Sequence, residues 1–397
     1  MGAPAARVSE LSRAWAARAH KVTVLAAFPH HPTGVIPGKY RGRLLMRERD
    51  RGVEVLRTWV YPAPNRGFLR RTLSYLSFMC SSLAIGLPAL SGRRFDAVIA
   101  TSPQFFVAVA GFLLASALRC PFIFEVRDIW PASIEAVGAV RNRRLIALLE
   151  KVEMALYGRA RLVVAVSDSA GTTLARRGVP GAKIAVVKNG VDLEMFRPAP
   201  RENAVRASLG LASKFVVSYV GTIGMAHGLE IVLEAARLTE SDRGLVYLVV
   251  GEGARRAELE AAAKERGLSN VVFAGEVPRE RVPEYLAASD ALLVHLRRAP
   301  LFEGVIPSKI FEIMACARPI ILGVRGEAAS IIRDARAGIE IEPESAAEFV
   351  AAIARLRSDA SLALEMGRSG RAFVEAHFDR RRLADDYLSL LSALLRP

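Results

Sequence analysis

Residues 303–324 read Glu-Gly-Val-Ile-Pro-Ser-Lys-Ile-Phe-Glu-Ile-Met-Ala-Cys-Ala-Arg-Pro-Ile-Ile-Leu-Gly-Val. A Gly/Pro loop opens an apolar helix that carries one carboxylate, Glu312, and Pro319 starts a buried strand. Such a loop aims backbone N–H groups and the positive end of a helix dipole at one point, which suits a phosphate. Lys309 adds a compact cation there. Glu312, one turn further in, is placed to accept hydrogen bonds from the hydroxyls of a ribose on that phosphate. The ligand suggested is a nucleotide or a nucleotide-sugar. The pattern fixes few positions, and a plain loop, helix and strand with Glu312 on the solvent face fits it too.

Outward from this stretch, short β-type runs alternate with helical ones. His20–Ala27, Phe95–Thr101, Pro121–Val126 and Leu162–Ser167 read as strands in the first half. Phe215–Gly221, Leu245–Gly251, Val271–Gly275, Ala291–Leu296 and Pro319–Gly323 repeat the rhythm in the second. The alternation predicts two parallel-sheet α/β units, with ligands at the carboxyl edges of both sheets. The turn-rich Asn189-Gly190-Val191-Asp192 and Phe196-Arg197-Pro198 put the boundary near residue 195, giving units 1–195 and 196–377. A last amphipathic helix, Arg381–Leu395 within 378–397, is expected to pack back on the first unit. The chain enters helix straight after Met1-Gly2-Ala3-Pro4, so the opening strand of a doubly wound domain is expected to be missing.

The formal charge of +15 on 397 residues, 52% of them hydrophobic, describes a globular chain with an anionic partner. Between Lys39 and Arg71 stand ten Lys/Arg against three Asp/Glu, and the charge-free run Thr72–Gly92 follows at once. Basic residues beside an apolar segment favour an anionic membrane surface over nucleic acid. The run holds five Ser, two Gly and Pro88, which argues for an interfacial or buried helix rather than a span. A second charge-free run, Ala97–Leu118, is broken by Thr101-Ser102-Pro103 into strand and helix. Cys80, Cys120 and Cys316 sit far apart in apolar surroundings and read as core thiols of a reducing compartment. With no charged-then-apolar leader in the first twenty residues, the chain is expected in the cytoplasm, peripherally on the inner face of the plasma membrane.

Two α/β units, a Gly/Pro loop before a Glu-bearing helix and the Asn-Gly-Val-Asp turn resemble a family-four retaining glycosyltransferase of the GT-B fold. The resemblance covers essentially the whole chain and is strongest to the WbuB-like branch of O-antigen, capsule and colanic-acid enzymes. Glu125-Val126-Arg127-Asp128-Ile129-Trp130-Pro131 carries it most specifically, supported by Thr101-Ser102-Pro103, Val305-Ile306-Pro307-Ser308-Lys309 and Gly326-Glu327-Ala328. It implies two Rossmann-like domains facing across a cleft, the nucleotide-sugar held mainly by the C-terminal one and the acceptor by the N-terminal one. The acceptor implied is a polyprenyl-diphosphate-linked or growing oligosaccharide.

Departures bear on the site. Eight residues separate Glu303 from Glu312 where the family usually has seven, and Gly304 holds the register of the first Glu. The loop after the first C-domain strand, Gly221-Thr222-Ile223-Gly224-Met225-Ala226-His227-Gly228, has Thr222 and His227 where the family often has cations. The diphosphate is then left to backbone N–H groups of Gly221 and Gly224, to Thr222 and His227, to residues 303–308 and to Lys309. Val277, in the turn Glu276-Val277-Pro278, is the candidate for uracil, and Asn189 can reach the donor. Asp128 is expected to polarise the reaction centre or the acceptor. It can equally cap a helix or pair with Arg127, which with Trp130 stands on the acceptor side. Retention implies front-face attack, with the leaving phosphate oxygen taking the acceptor's proton. No Asp-x-Asp triplet, His/Cys cluster of ligand spacing or Gly-x4-Gly-Lys-Ser/Thr motif occurs, so neither a required metal nor a cofactor is expected, and a Walker NTPase is disfavoured. A nucleotide-sugar epimerase of similar fold and a binding or inactive protein remain as alternatives.

Overall fold

The computed structural model describes residues 3–30, 33–63, 68–102, 104–127, 129 and 142–395. The chain divides into two compact units, one running to Lys188 and resuming at Ala384, the other spanning Asn189–Leu383.

The first unit begins with the helix Ala3–Ala17 and, among the described residues, holds seven strands: β1 (Thr23–Ala27), β2 (Leu45–Asp50), β3 (Val53–Thr58), β4 (Val98–Thr101), β5 (Phe122–Val126), β6 (Leu162–Ala165) and β7 (Ile184–Val186). They form two sheets, β1-β3-β2 and β4-β5-β6-β7. β1 and β4 are edge strands, and all five residues of β1 are half-buried while all of β5 and β6 are buried. The hairpin β2–β3 lies where charged residues interrupt the apolar ones; Arg51 and Gly52 both take positive φ at its tight turn. The helix Phe105–Leu118 crosses β4 closely at Gly111, where an added Cβ would stand 2.5 Å from the Ala100 methyl. The helix Arg380–Leu395 starts in the second unit, and from Ala384 it belongs to the first. There Trp15 donates from Nε1 to the Ala384 carbonyl at 2.8 Å and stacks edge-on against Tyr387.

The cysteine reading needs correcting. Only Cys316 is buried, while Cys120 is half-buried and Cys80 is exposed on the outward side of its helix.

The second unit is one six-stranded parallel sheet, built from β8 (Phe215–Val220), β9 (Leu245–Val250), β10 (Val271–Gly275), β11 (Ala291–His295), β12 (Ile320–Gly323) and β13 (Gly338–Glu340) in the order β10-β9-β8-β11-β12-β13. Its central strands are largely aliphatic because helices cover both faces. Successive residues feed opposite cores: Val216 packs with Leu248, Ile310 and Phe311, and Val217 with Tyr247, Val249 and Leu293. The strand order reverses between β8 and β11, and ligand crevices of open α/β sheets form at the carboxyl ends of such a pair.

Candidate active site

At that reversal β8 runs into Gly221–Gly224 and the 3₁₀ turn Met225–His227, and β11 ends on His295. Gly221 has φ +141°, and a Cβ there would stand 2.5 Å from Lys309 Nζ, so glycine is what lets the lysine reach the loop. The Tyr219 hydroxyl donates to the Thr222 carbonyl at 2.6 Å and fixes the turn. The Gly224 N–H donates to His227 Nδ1 at 3.3 Å. His295, buried behind them, donates from Nδ1 to the His227 carbonyl at 2.6 Å and accepts the Glu344 N–H on Nε2 at 2.8 Å. Burial, and then the nearby Lys309 charge, pull His227 down to about 4, so it is a neutral ring at pH 7.

Lys309 is the first residue of the helix Lys309–Ala315. Its ammonium lies 3.8 Å above the Tyr219 ring, is shut off from solvent and finds no hydrogen-bond partner among the described residues. Burial pulls its pKa down to about 7, against the opposing pull of Glu312. Glu312, one turn on, faces Arg279 at 3.2 Å. Burial raises the Glu312 carboxyl, and the charges of Arg279 and Lys309 oppose the rise. Arg279 follows the turn at Val277 and lies over the Phe196 ring. A caged cation and a braced carboxylate thus meet at the carboxyl edge of one sheet, whereas the expected loop amides are already engaged, Gly221 donating to Val250, Ile223 to Glu252 and Gly224 to His227.

Two family profiles match the chain: the Glycosyl transferase 4-like domain over residues 2–190 and Glycosyl transferases group 1 over residues 201–373. The chain belongs to the family-four glycosyltransferases. WcaI of Escherichia coli (strain K12), named as a colanic acid biosynthesis glycosyl transferase, is 28% identical over 308 residues, 76% of this chain and 74% of WcaI. Among solved structures, sucrose-phosphate synthase from Thermosynechococcus elongatus superposes with TM-score 0.76 at 20% identity, covering 99% of this chain and 94% of its own. Anabaena Alr3699/HepE, solved with UDP and glucose, superposes with TM-score 0.74 at 18% identity, covering 98% and 96%. Membership of this family sets the epimerase reading aside.

In this glycosyltransferase the structure brings Gly221, Thr222, Gly224, His227, Lys309 and Glu312 to one edge, and the Arg279–Glu312 pair ties the turn at Val277 to them. Glu303 follows the 3₁₀ turn Pro300–Phe302 with its side chain exposed, and its carbonyl accepts the Glu327 N–H at 3.1 Å. Gly304, Val305, Ile306, Pro307 and Ser308 are half-buried between that turn and Lys309, with Val305 and Ile306 packed on the core. The helix after them has seven residues and no side-chain cap at Ser308, so Lys309 carries more of the site's positive charge than the helix end does.

Asn189 opens the second unit beside Gly190, whose lack of a Cβ admits the Phe378 carbonyl; Val191 then donates to that carbonyl at 2.9 Å. This turn therefore has a structural task. Arg127, in the first unit, donates its N–H to Ser102 Oγ at 2.7 Å. Asp128 and Trp130 lie outside the described residues. The sequence reading missed Arg279 and His295. Arg279 stands next to the turn assigned to the base, but nothing in the sequence pairs it with Glu312.

Proposed function

We propose that this glycosyltransferase moves a hexosyl or N-acetylhexosaminyl unit from a UDP-linked sugar to a polyprenyl-diphosphate-linked or growing oligosaccharide acceptor, with retention of configuration, at the inner face of the plasma membrane. The observation that carries the reading is the Lys309 ammonium, buried without a hydrogen-bond partner among the described residues and reached only because residue 221 is glycine. A cation stripped of water is stabilised by an anion that replaces its hydration, and a sugar diphosphate supplies one. In this reading the diphosphate lies against the Lys309 ammonium, with Thr222 and residues 303–308 around it. Glu312 receives the ribose hydroxyls, with the Arg279 charge opposing the rise that burial imposes on it, and the backbone of Val277 meets the uracil.

The bond from the anomeric carbon to the diphosphate oxygen breaks, and the acceptor oxygen bonds to the same face of that carbon. The acceptor's proton passes to the leaving oxygen, whose charge Lys309 holds. Asp128 polarises the acceptor, with Arg127 and Trp130 on its side of the reaction. Lys309 serves where other enzymes of this type of chemistry use a metal ion, and the chain has no Asp-x-Asp triplet. The likeness to WcaI supports a surface polysaccharide product, and the likeness to HepE supports UDP as the nucleotide.

The test is incubation of the chain with a panel of nucleotide-sugars and polyprenyl-diphosphate-sugar acceptors, in EDTA, with mass spectrometry and anomeric NMR of the product. Transfer with retention is the expected result. An inverted product, or transfer only after metal is restored, overturns the corresponding part of the reading.

A further inference from the structure

The helical stretch from Phe68 to Leu90 is built inside out. It runs as an α-helix to Ser81, a π-helical turn over Ser82–Gly86 and a short helix Leu87–Leu90. Its serines point inward: Ser74, Ser81 and Ser82 are buried. Ser74 Oγ meets His30 Nε2 at 3.3 Å, Ser77 Oγ accepts the Tyr61 N–H at 2.8 Å, and Ser81 Oγ donates to the Trp59 carbonyl at 2.5 Å. Its first three leucines point outward, while Leu83 and Leu87 are half-buried and Leu90 is buried. Leu69, Leu73 and Leu76 are 70%, 45% and 37% exposed, and Cys80, Ala84 and Pro88 continue the same uncharged stripe. A helix at a water surface shows the opposite pattern.

Next to it, Trp59 and Tyr61 are exposed just after β3, and Trp59 with Val35, Tyr40, Arg43 and Leu44 lines a groove of about 470 Å³. The carboxylates of this region are already occupied: Glu48 with Lys39 and Arg57, Asp50 with Arg13, Glu54 with Arg93. Arg41, Arg43, Arg70 and Arg71 pair with no carboxylate among the described residues and are exposed.

We propose that this face lies in the interfacial layer of an anionic lipid bilayer. The leucine stripe enters the acyl boundary, Trp59 and Tyr61 sit at the headgroup level, and the four arginines meet lipid phosphates. The stretch is long and apolar enough to cross a membrane by length and composition. Crossing would strip Ser74, Ser77 and Ser81 of their partners His30, Tyr61 and Trp59 and leave polar groups in hydrocarbon, so the helix lies along the surface. This deepens the membrane-bound reading above and rests on it.

The test is flotation of the chain with vesicles of phosphatidylethanolamine and phosphatidylglycerol, and with phosphatidylcholine alone. The vesicles contain no sugar acceptor, so a failure to bind is separate from a failure to transfer. Binding to the anionic vesicles, weakened by salt, is expected. The triple variant Leu69→Ser, Leu73→Ser, Leu76→Ser should lower the partition coefficient by about tenfold or more at any salt. Replacing the four arginines by Gln should remove most of the salt dependence. Unchanged melting and UDP affinity show that each variant is folded. A leucine variant that floats like the parent overturns the proposal. So does a parent that is dimeric without vesicles while its leucine variant is monomeric, since a second copy then covers the stripe.

Discussion

Arg279 faces Glu312 at 3.2 Å, a guanidinium from the turn after β10 meeting the carboxylate of the donor-site helix. The pair decides the state of Glu312, because burial alone favours the neutral acid, which gives up acceptor capacity. Glu312→Ala should weaken UDP binding roughly tenfold to hundredfold, the effect of losing ~1.5–3 kcal/mol of charge-assisted hydrogen bonding. Arg279→Ala should weaken it less at pH 8 than at pH 6, as the released carboxyl takes up a proton. The double variant should be non-additive by about 0.5 kcal/mol or more. Calorimetric titration reads all three, and an unchanged affinity in Glu312→Ala removes the ribose role.

Lys309 sets a pH dependence in the opposite direction. With its pKa near 7, the free protein carries less of this charge as pH rises, while a bound diphosphate favours the charged form. Nucleotide-sugar binding above pH 7 should therefore take up a proton and weaken with rising pH. Calorimetry in buffers of different ionisation enthalpy measures the uptake, and Lys309→Met should abolish it. Stability follows the same group. Its folded pKa is below the ordinary lysine value of 10.5, so the unfolded chain binds more protons between about 7 and 10.5 and stability rises across that window. The stabilisation of Lys309→Met relative to the parent should accordingly be largest below pH 7 and fade towards pH 10.

Arg7 and Glu125 form a buried pair in the first unit, with two Arg7 nitrogens 3.0 and 2.9 Å from the same carboxylate oxygen. Arg7 also donates to the carbonyls of Val187 and Lys188, and Thr101 donates to the other Glu125 oxygen at 3.0 Å. Burial acts against the Glu125 charge, yet Arg7 keeps the carboxyl below its ordinary pKa. Arg7→Met leaves that charge uncompensated and should destabilise the unit by about 3–5 kcal/mol. Adding Glu125→Gln should recover part of the loss. Denaturation followed by Trp15 fluorescence, with Trp59 and Trp130 replaced by Phe, reports on this unit.

Asp128→Asn should spare donor affinity and cut transfer by about two orders of magnitude, if its charge acts in the transition state. Calorimetry beside a turnover assay separates the cases. Equal losses of binding and rate would assign Asp128 a structural role.

The second unit was readable in the sequence because strands buried on both faces are largely aliphatic runs, as in Leu245–Val250 and Ala291–His295. The hairpin Leu45–Thr58 was not, since Arg47, Glu48, Arg49 and Asp50 hide the alternation of an edge strand behind charge. Lys309 and Glu312 were legible as types at a spacing, and Gly221 as a loop glycine. That Gly221 makes room for Lys309 is set by the crossing of two segments far apart in the chain, which no local pattern encodes. The stretch Thr72–Gly92 shows the same limit: its charge-free sequence reads alike with serines inward or outward, and only packing against Thr58, Trp59 and His30 decides.

The helix that begins in one unit and ends in the other has a bearing on synthesis. Trp15 leaves the ribosome long before its indole partner at Ala384 and its ring partner Tyr387, which are translated only after the whole of Asn189–Leu383. The second unit can close as soon as its own strands are made. The first must hold its core around Leu11, Ile123 and Val164 partly uncovered until then. Chaperone dependence and sensitivity to ribosome stalling should therefore concentrate in the half of the protein that is made first.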